Sequence, residues 1–182
     1  PNDLASQRLN DTSQAWKELV ADKSSPLSNR ASREIYPPGS TFKLVTAAAA
    51  LQNGYNPNST VDAPENWTLP GTRTPLTNET YCGGKQITLT RALDISCNTA
   101  FGKLGVGLGQ DKINAQAEEF GFGKVVDSDI SSVASKFPKD MTDAQLAQSS
   151  IGQFDVAASP LQMAMVTAGI ANGGKQIGRA HV

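Results

Sequence analysis

Tyr36-Pro37-Pro38-Gly39-Ser40-Thr41-Phe42-Lys43 runs directly into Leu44-Val45-Thr46-Ala47-Ala48-Ala49-Ala50-Leu51. The second half is apolar nearly all round, which predicts a buried helix, and Asn53-Gly54 supplies its stop. A buried helix presents only its N-terminal turn at a surface or cleft, and Ser40 and Lys43 lie on that turn. Three residues apart, they share one helix face, so the hydroxyl can serve as nucleophile and the amine as its base, with no histidine required. The unpaired N–H groups and the positive dipole end at the helix start favour negative charge developing at Ser40 or on a carbonyl oxygen beside it. Lys43 must be neutral to take a proton, and partial burial or a nearby positive charge lowers its pKa. S-x-x-K also arises by chance, and from these four residues alone a solvated serine and lysine at a helix start is the plain alternative.

A second element lies further along. Ser96-Cys97-Asn98 sits between two short helical patterns, Thr90 to Ile95 and Thr99 to Leu104. A serine there can relay a proton between Lys43 and a leaving group. An amide such as Asn98 can bind both a carbonyl and an N–H, because it carries acceptor and donor. A polar turn between two helices is the commoner fate of a lone S-x-N. The two motifs in this order, roughly sixty residues apart, are much stronger together than either alone.

S-x-x-K is the spacing of serine β-lactamases and penicillin-binding proteins, and the flanking residues make the likeness more specific. Tyr36 to Lys43 resembles the active-site segment of class B penicillin-binding proteins. Ser96-Cys-Asn-Thr-Ala-Phe101 resembles their second motif with its following helix. Ser150-Ile-Gly-Gln153, Ser159-Pro-Leu-Gln-Met-Ala164 and Ala171-Asn-Gly-Gly174 resemble the helical region before their third motif. The likeness runs from about Asn29-Arg30 to Gly174 and is greatest to the actinobacterial penicillin-binding protein A type. The resemblance implies an α+β fold, here the mainly helical portion of the transpeptidase (serine β-lactamase-like) domain, with most sheet strands outside this chain. It implies a D,D-transpeptidase that cross-links peptidoglycan stem peptides and is trapped by β-lactams.

The departure from the family pattern is also informative. Its third motif, Lys-Thr-Gly or a variant on a strand, is missing; Gly173-Gly174-Lys175-Gln176 has the wrong order and falls in the turn after the Met163 helix. In the family that strand supplies one oxyanion N–H and docks the substrate carboxylate. Residues 1–182 are therefore expected to be part of one transpeptidase domain, inactive alone, with a membrane anchor lying outside them.

Composition bounds the reading further. A chain of 182 residues with 38% hydrophobic residues is at most one domain with a core. Mean hydropathy is −0.32, and no run approaches the ~18 to 20 apolar residues of a membrane-spanning helix. A formal net charge of −1 does not recommend nucleic acid as a partner, although net charge alone does not exclude acidic partners. Gln14 to Val20 reads as a short helix. Gly54 to Gln86, rich in Pro, Gly, Thr and Asn, is too long for an ordinary connection and predicts short strands or an extended loop over the active site. Asp111 to Phe120 reads as a helix capped by Asp111 and closed by Gly121. Thr142 to Ser150 reads as another with Thr142 as N-cap, and Ser159-Pro160 caps a third that runs to Ala171 and closes at Asn172-Gly173.

Cys82 and Cys97 are the two cysteines, the second being the middle residue of S-x-N. One reading is a disulfide tethering the long loop to the active-site turn, worth about 3 kcal/mol for a loop of ~15 residues; the other is two unrelated thiols, one of them buried. The oxidising, extracytoplasmic compartment implied by the resemblance favours the disulfide.

Other signals carry less. His181 is the sole histidine, which argues against a Ser-His-Asp triad or a histidine-based zinc site in these residues; no metal or cofactor is expected. Glu118 and Glu119 are adjacent and point to different sides of a helix. Gly105-Val-Gly-Leu-Gly109 follows a helix rather than a strand, so close packing and a stop explain it better than a dinucleotide fingerprint. Asn10, Asn58, Asn66 and Asn78 each begin an N-x-S/T triplet, expected by chance in an Asn- and Thr-rich chain.

The resemblance implies acyl transfer with Ser40 as nucleophile, Lys43 as base, Ser96 as proton relay and Asn98 holding the donor backbone. Alternatives using the same residues are a β-lactamase or D,D-carboxypeptidase, which hands the acyl group to water, and a penicillin-binding sensor domain. A non-catalytic interaction module is an alternative of another class. Expected partners are stem peptides and β-lactams, together with cell-division or elongation proteins at the outer face of the bacterial membrane.

Overall fold

The computed structural model describes residues 9–126 and 130–175, with the side chains described from residue 13; His181, Gln176 and the Asn10 side chain lie outside these. Among the described residues, eight α-helices and four three-residue strands form an α+β arrangement in which helices dominate, the four strands following one another in the chain. Helix α1 spans Leu9–Ala21 and α2 Arg30–Arg33. The central helix α3 spans Lys43–Gln52, and Val45, Ala49 and Ala50 on it are fully buried. Its run of alanines has high helix propensity and is thin enough for neighbouring helices to approach closely.

Ser40 lies one step outside the α-helix expected to contain it. Gly39–Phe42 forms a 3₁₀ turn, and regular α-helix begins at Lys43. The proline pair and the left-handed Gly39 (φ +55°) set this entry, and the Gly39 N–H is held by the Gly152 carbonyl at 2.9 Å. Phe42 pins the turn from inside. It is fully buried, with Phe122 edge-on and Phe137 stacked, each ring centroid 5.6 Å away. Burial of such a ring contributes about 1.5–3 kcal/mol.

The stretch 54–86 resolves into two small antiparallel ladders. β1 (Thr60–Asp62) pairs with β4 (Gln86–Thr88), and between them β2 (Asn66–Thr68) pairs with β3 (Pro75–Thr77). The inner ladder rests on the helix Asn98–Leu108 (α5) at Gly102, where an added Cβ would come within 2.8 Å of Leu76 and 3.3 Å of Trp67.

Helix α4 (Leu89–Asp94) starts one residue before the expected Thr90 because Thr88 caps it, accepting from the Arg91 N–H. Helix α5 (Asn98–Leu108) extends four residues past the expected Leu104 and stops at Gly109, φ +89°. Gly105 within it allows the close approach of Ser150, since a Cβ there would lie 1.8 Å from Ser150 Oγ. Helix α6 (Gln110–Glu119) is a correction: its N-cap is Gly109, and Asp111 sits instead in the first turn, where a carboxylate suits the helix dipole. Helix α7 (Asp143–Ser149) has Thr142 as N-cap in a full capping box with Gln145. Helix α8 (Pro160–Ala171) has Ser159 as N-cap and Pro160 at its start. Bridges Tyr36–Ala158 and Lys136–Ala157 tie the approach to Ser40 against the segment before α8.

Candidate active site

The 3₁₀ turn decides how Ser40 meets Lys43. At three residues per turn, positions i and i+3 eclipse, so the Ser40 hydroxyl stands directly over the lysine chain. Ser40 is exposed, whereas Lys43 is 1% exposed. Its Nζ lies 3.0 Å from Ser40 Oγ, 2.8 Å from Ser96 Oγ, 2.7 Å from the Ser96 carbonyl and 2.6 Å from Asn98 Oδ1. The four residues singled out by the two motifs thus converge on one nitrogen.

The partners sort by chemistry. The Ser96 carbonyl and Asn98 Oδ1 only accept, while the two hydroxyls can also donate. A neutral amine has two N–H groups and one lone pair. The two fixed acceptors take the N–H groups, which leaves the lone pair for a proton from either hydroxyl. Burial pushes the Lys43 pKa down to about 8, and the charge of Glu79 partly opposes the fall. The lowered pKa favours the neutral amine, the form that can take a proton.

Ser96 is delivered by backbone strain. Helix α4 ends in a Schellman motif: Ser96 N–H bonds the Leu93 carbonyl and Cys97 N–H the Ala92 carbonyl, at 3.0 and 2.9 Å. The residue at the left-handed position is usually glycine, but here it is Ser96, with φ +54°. That conformation costs a non-glycine residue about 1–2 kcal/mol and aims the hydroxyl at Lys43.

Asn98 is the first residue of α5. Its Oδ1 accepts from Lys43, and its Nδ2 donates to the Thr77 carbonyl at the end of β3, 3.0 Å away. The loop after β3 is fastened to the same turn again further on, where Thr80 Oγ1 bonds the Ile95 carbonyl at 3.3 Å. Cys82 and Cys97 are joined by a disulfide with Cα atoms 5.9 Å apart. The long stretch thus borders the site as a fastened wall. Glu79 projects from that wall and was not singled out from the sequence; an isolated exposed carboxylate in a polar loop gives no signal. Gly152, whose Cβ would stand 2.0 Å from the Gly39 carbonyl, lies in the Ser150–Gln153 segment, where sequence alone gives no sign of that contact.

Among the described residues no His/Cys/Asp/Glu group is arranged to hold a metal ion, and no helix is long and apolar enough to cross a membrane. Gly173 and Gly174 are left-handed turn residues at the end of α8, followed by Lys175.

Comparison with known proteins agrees with the geometry. The family described as penicillin binding protein transpeptidase domain matches residues 4–177. Peptidoglycan D,D-transpeptidase PbpA of Mycolicibacterium smegmatis is 44% identical over 178 residues, covering 96% of this chain and 36% of that protein. Peptidoglycan D,D-transpeptidase MrdA of Salmonella typhimurium is 31% identical over 176 residues, covering 90% of this chain and 28% of that protein. The chain thus spans about a third of the length of the curated relatives it matches. Among solved structures, penicillin-binding protein A of M. tuberculosis as its imipenem acyl-enzyme superposes with a TM-score of 0.85 at 40% identity, over 96% of this chain and 41% of that one. Its penicillin G acyl-enzyme gives 0.86 at the same identity and coverage.

Proposed function

Because this chain belongs to the penicillin-binding protein transpeptidase family, we propose that it carries the nucleophilic half of a D,D-transpeptidase site acting on peptidoglycan stem peptides. The observation that carries the reading is Lys43 Nζ, within 3.0 Å of both the Ser40 and the Ser96 hydroxyl while two carbonyl oxygens hold its N–H groups.

In the proposed reaction Ser40 Oγ attacks the carbonyl carbon of the penultimate D-alanine, and its proton passes to Lys43 Nζ. The C–N bond to the terminal D-alanine then breaks, and the departing nitrogen takes a proton through Ser96 Oγ. The resulting acyl-serine ester is attacked by an amine of a second stem peptide, which loses a proton as Ser40 Oγ regains one. Asn98 holds Lys43 and borders the donor strand. General-base assistance of this kind contributes typically about 10²–10⁴ in rate, and each oxyanion donor roughly 3 kcal/mol. A β-lactam presents the same carbonyl and leaves its acyl group on Ser40.

The M. smegmatis relative is named a peptidoglycan D,D-transpeptidase, and the M. tuberculosis neighbour is an acyl-enzyme with β-lactams; both support this assignment. The disulfide supports an extracytoplasmic site. With the Ser40 N–H as one oxyanion donor, the second donor and the carboxylate dock are proposed to come from residues outside these 182, so that the 182 residues alone do not acylate.

Fluorescent-penicillin labelling of the full-length protein tests the proposal. A stable label lost in Ser40→Ala is expected. Label that persists without Ser40 rejects the acyl-serine reading, and label that decays within minutes favours a β-lactamase.

A further inference from the structure

Helix α5 carries Asn98 in its first turn and follows directly on Ser96, yet its own N-cap residue does not cap it. Cys97 stands at the N-cap with no side-chain hydrogen bond to the helix, its sulfur being committed to Cys82. A helix start leaves its first N–H groups without intrahelical partners, and a cap side chain ordinarily accepts from the second or third of them. Here the acceptor comes from another part of the chain. Asn78 Oδ1 accepts from the Thr99 N–H at 2.9 Å, across 21 positions.

The other end of the same amide is anchored just as fully. Asn78 Nδ2 lies 3.0 Å from the Pro64 carbonyl, 3.2 Å from the Glu65 carbonyl and 3.1 Å from Thr99 Oγ1. Thr99 Oγ1, fully buried, donates to the Pro64 carbonyl at 2.7 Å. Asn78 therefore joins three segments: the turn before β2, the loop after β3 and the first turn of α5. Its neighbour Thr77 supplies the carbonyl that holds Asn98 Nδ2 at 3.0 Å. Asn78 begins one of the N-x-T triplets, and a group attached to its nitrogen would break this bracket.

We propose that Asn78 is a positioning residue of the site: it caps α5 from the loop in place of Cys97 and so fixes Ser96 and Asn98 against Lys43. Its consequence for acylation rests on the transpeptidase reading; its consequence for the start of α5 does not.

The test compares the full-length protein with Asn78→Ala, Asn78→Asp and Val166→Ala, the last a buried core residue of α8. Two readouts are taken, the rate of fluorescent-penicillin acylation and hydrogen exchange over the peptide containing Thr99. Asn78→Ala is expected to slow acylation about tenfold to a hundredfold, as a small misplacement does, and to speed exchange at Thr99. Asn78→Asp keeps the acceptor for the Thr99 N–H but turns an oxygen toward the Pro64 and Glu65 carbonyls; it is expected to retain more exchange protection at Thr99 than Asn78→Ala while acylating more slowly than wild type. Val166→Ala is expected to lower Tm while acylating at the wild-type rate. Should Asn78→Ala not fold, Asn78→Ser, too short to bridge Pro64 and Thr99, replaces it with the same expectations. Wild-type acylation in the Ala or Ser variant overturns the proposal, as does exchange at Thr99 in the Asp variant as fast as in the Ala variant. If the unmodified protein takes no label at Ser40, the transpeptidase reading fails and exchange alone decides: unchanged exchange at Thr99 in Asn78→Ala overturns the bracket.

Discussion

Lys43 Nζ donates to Asn98 Oδ1 at 2.6 Å, across 55 positions of sequence, while its distance to Ser40 Oγ, three positions away, is 3.0 Å. The amine is thus held by the second motif as firmly as by the first. Fixing its N–H groups on the Asn98 and Ser96 carbonyl oxygens orients its lone pair toward the two hydroxyls. The chemistry proposed for the pair Ser40–Lys43 is accordingly proposed for a four-residue unit.

The pH dependence follows from Lys43. Its pKa is lowered to about 8 by burial, and only the neutral amine accepts a proton. The acylation rate of the full-length protein is expected to rise with pH through a midpoint near 8 and then level off. Glu79 raises that pKa by its charge, so Glu79→Gln is expected to move the midpoint to lower pH. A stopped-flow pH profile with a chromogenic β-lactam checks both, and a midpoint above 10 would show that Lys43 is not the titrating base.

Ser96 offers a test of strain against chemistry. Both Ser96→Gly and Ser96→Ala remove the hydroxyl, but only glycine accepts φ +54° without steric cost. The Gly variant is expected to be more stable than the Ala variant by about 1 kcal/mol, the reverse of the usual order. Both are expected to acylate at least about tenfold more slowly. Urea unfolding and labelling rates on the two variants measure this.

The disulfide closes a loop with a sequence separation of 15, for which chain entropy gives about 3 kcal/mol. Cys82→Ala combined with Cys97→Ala is expected to lower stability by about that amount, and alkylation with and without reductant is expected to differ by two thiols. Two freely reactive thiols in the untreated protein would contradict the bond.

Gly152 is expected to tolerate nothing larger. A Cβ there would stand 2.0 Å from the Gly39 carbonyl, on a backbone with φ +75°. Gly152→Ala must push back the 3₁₀ turn that carries Ser40, at a cost above about 2 kcal/mol. A combined fall in Tm and acylation rate is the expected result; a wild-type rate would show that Gly39 can move without moving Ser40.

The parts of the molecule legible in sequence are those written locally. Ser40, Lys43, Ser96 and Asn98 stand in short motifs. The ends of α7 and α8 are marked by Thr142, Ser159 and Pro160, because caps and helix-start prolines act within one turn. Less legible are the contacts made across distance. β1 pairs with β4 around an inner ladder, and strands of three residues carry no periodicity to read. Thr88 caps α4 from the end of a strand, where its β character hides the signal. The left-handed turn at Ser96 contains no glycine, so nothing in the local sequence marks a Schellman end there. Asn78 was seen as the start of an N-x-T triplet, since nothing near it in sequence shows that its partner is Thr99.

The acyl-serine claim is tested most directly by intact and peptide mass spectrometry of the full-length protein after incubation with penicillin G. One penicilloyl group on the peptide that contains Ser40, absent in Ser40→Ala, is the expected result. An unmodified Ser40 peptide under conditions where the folded protein is saturated with penicillin, or an adduct on another residue, would contradict the account.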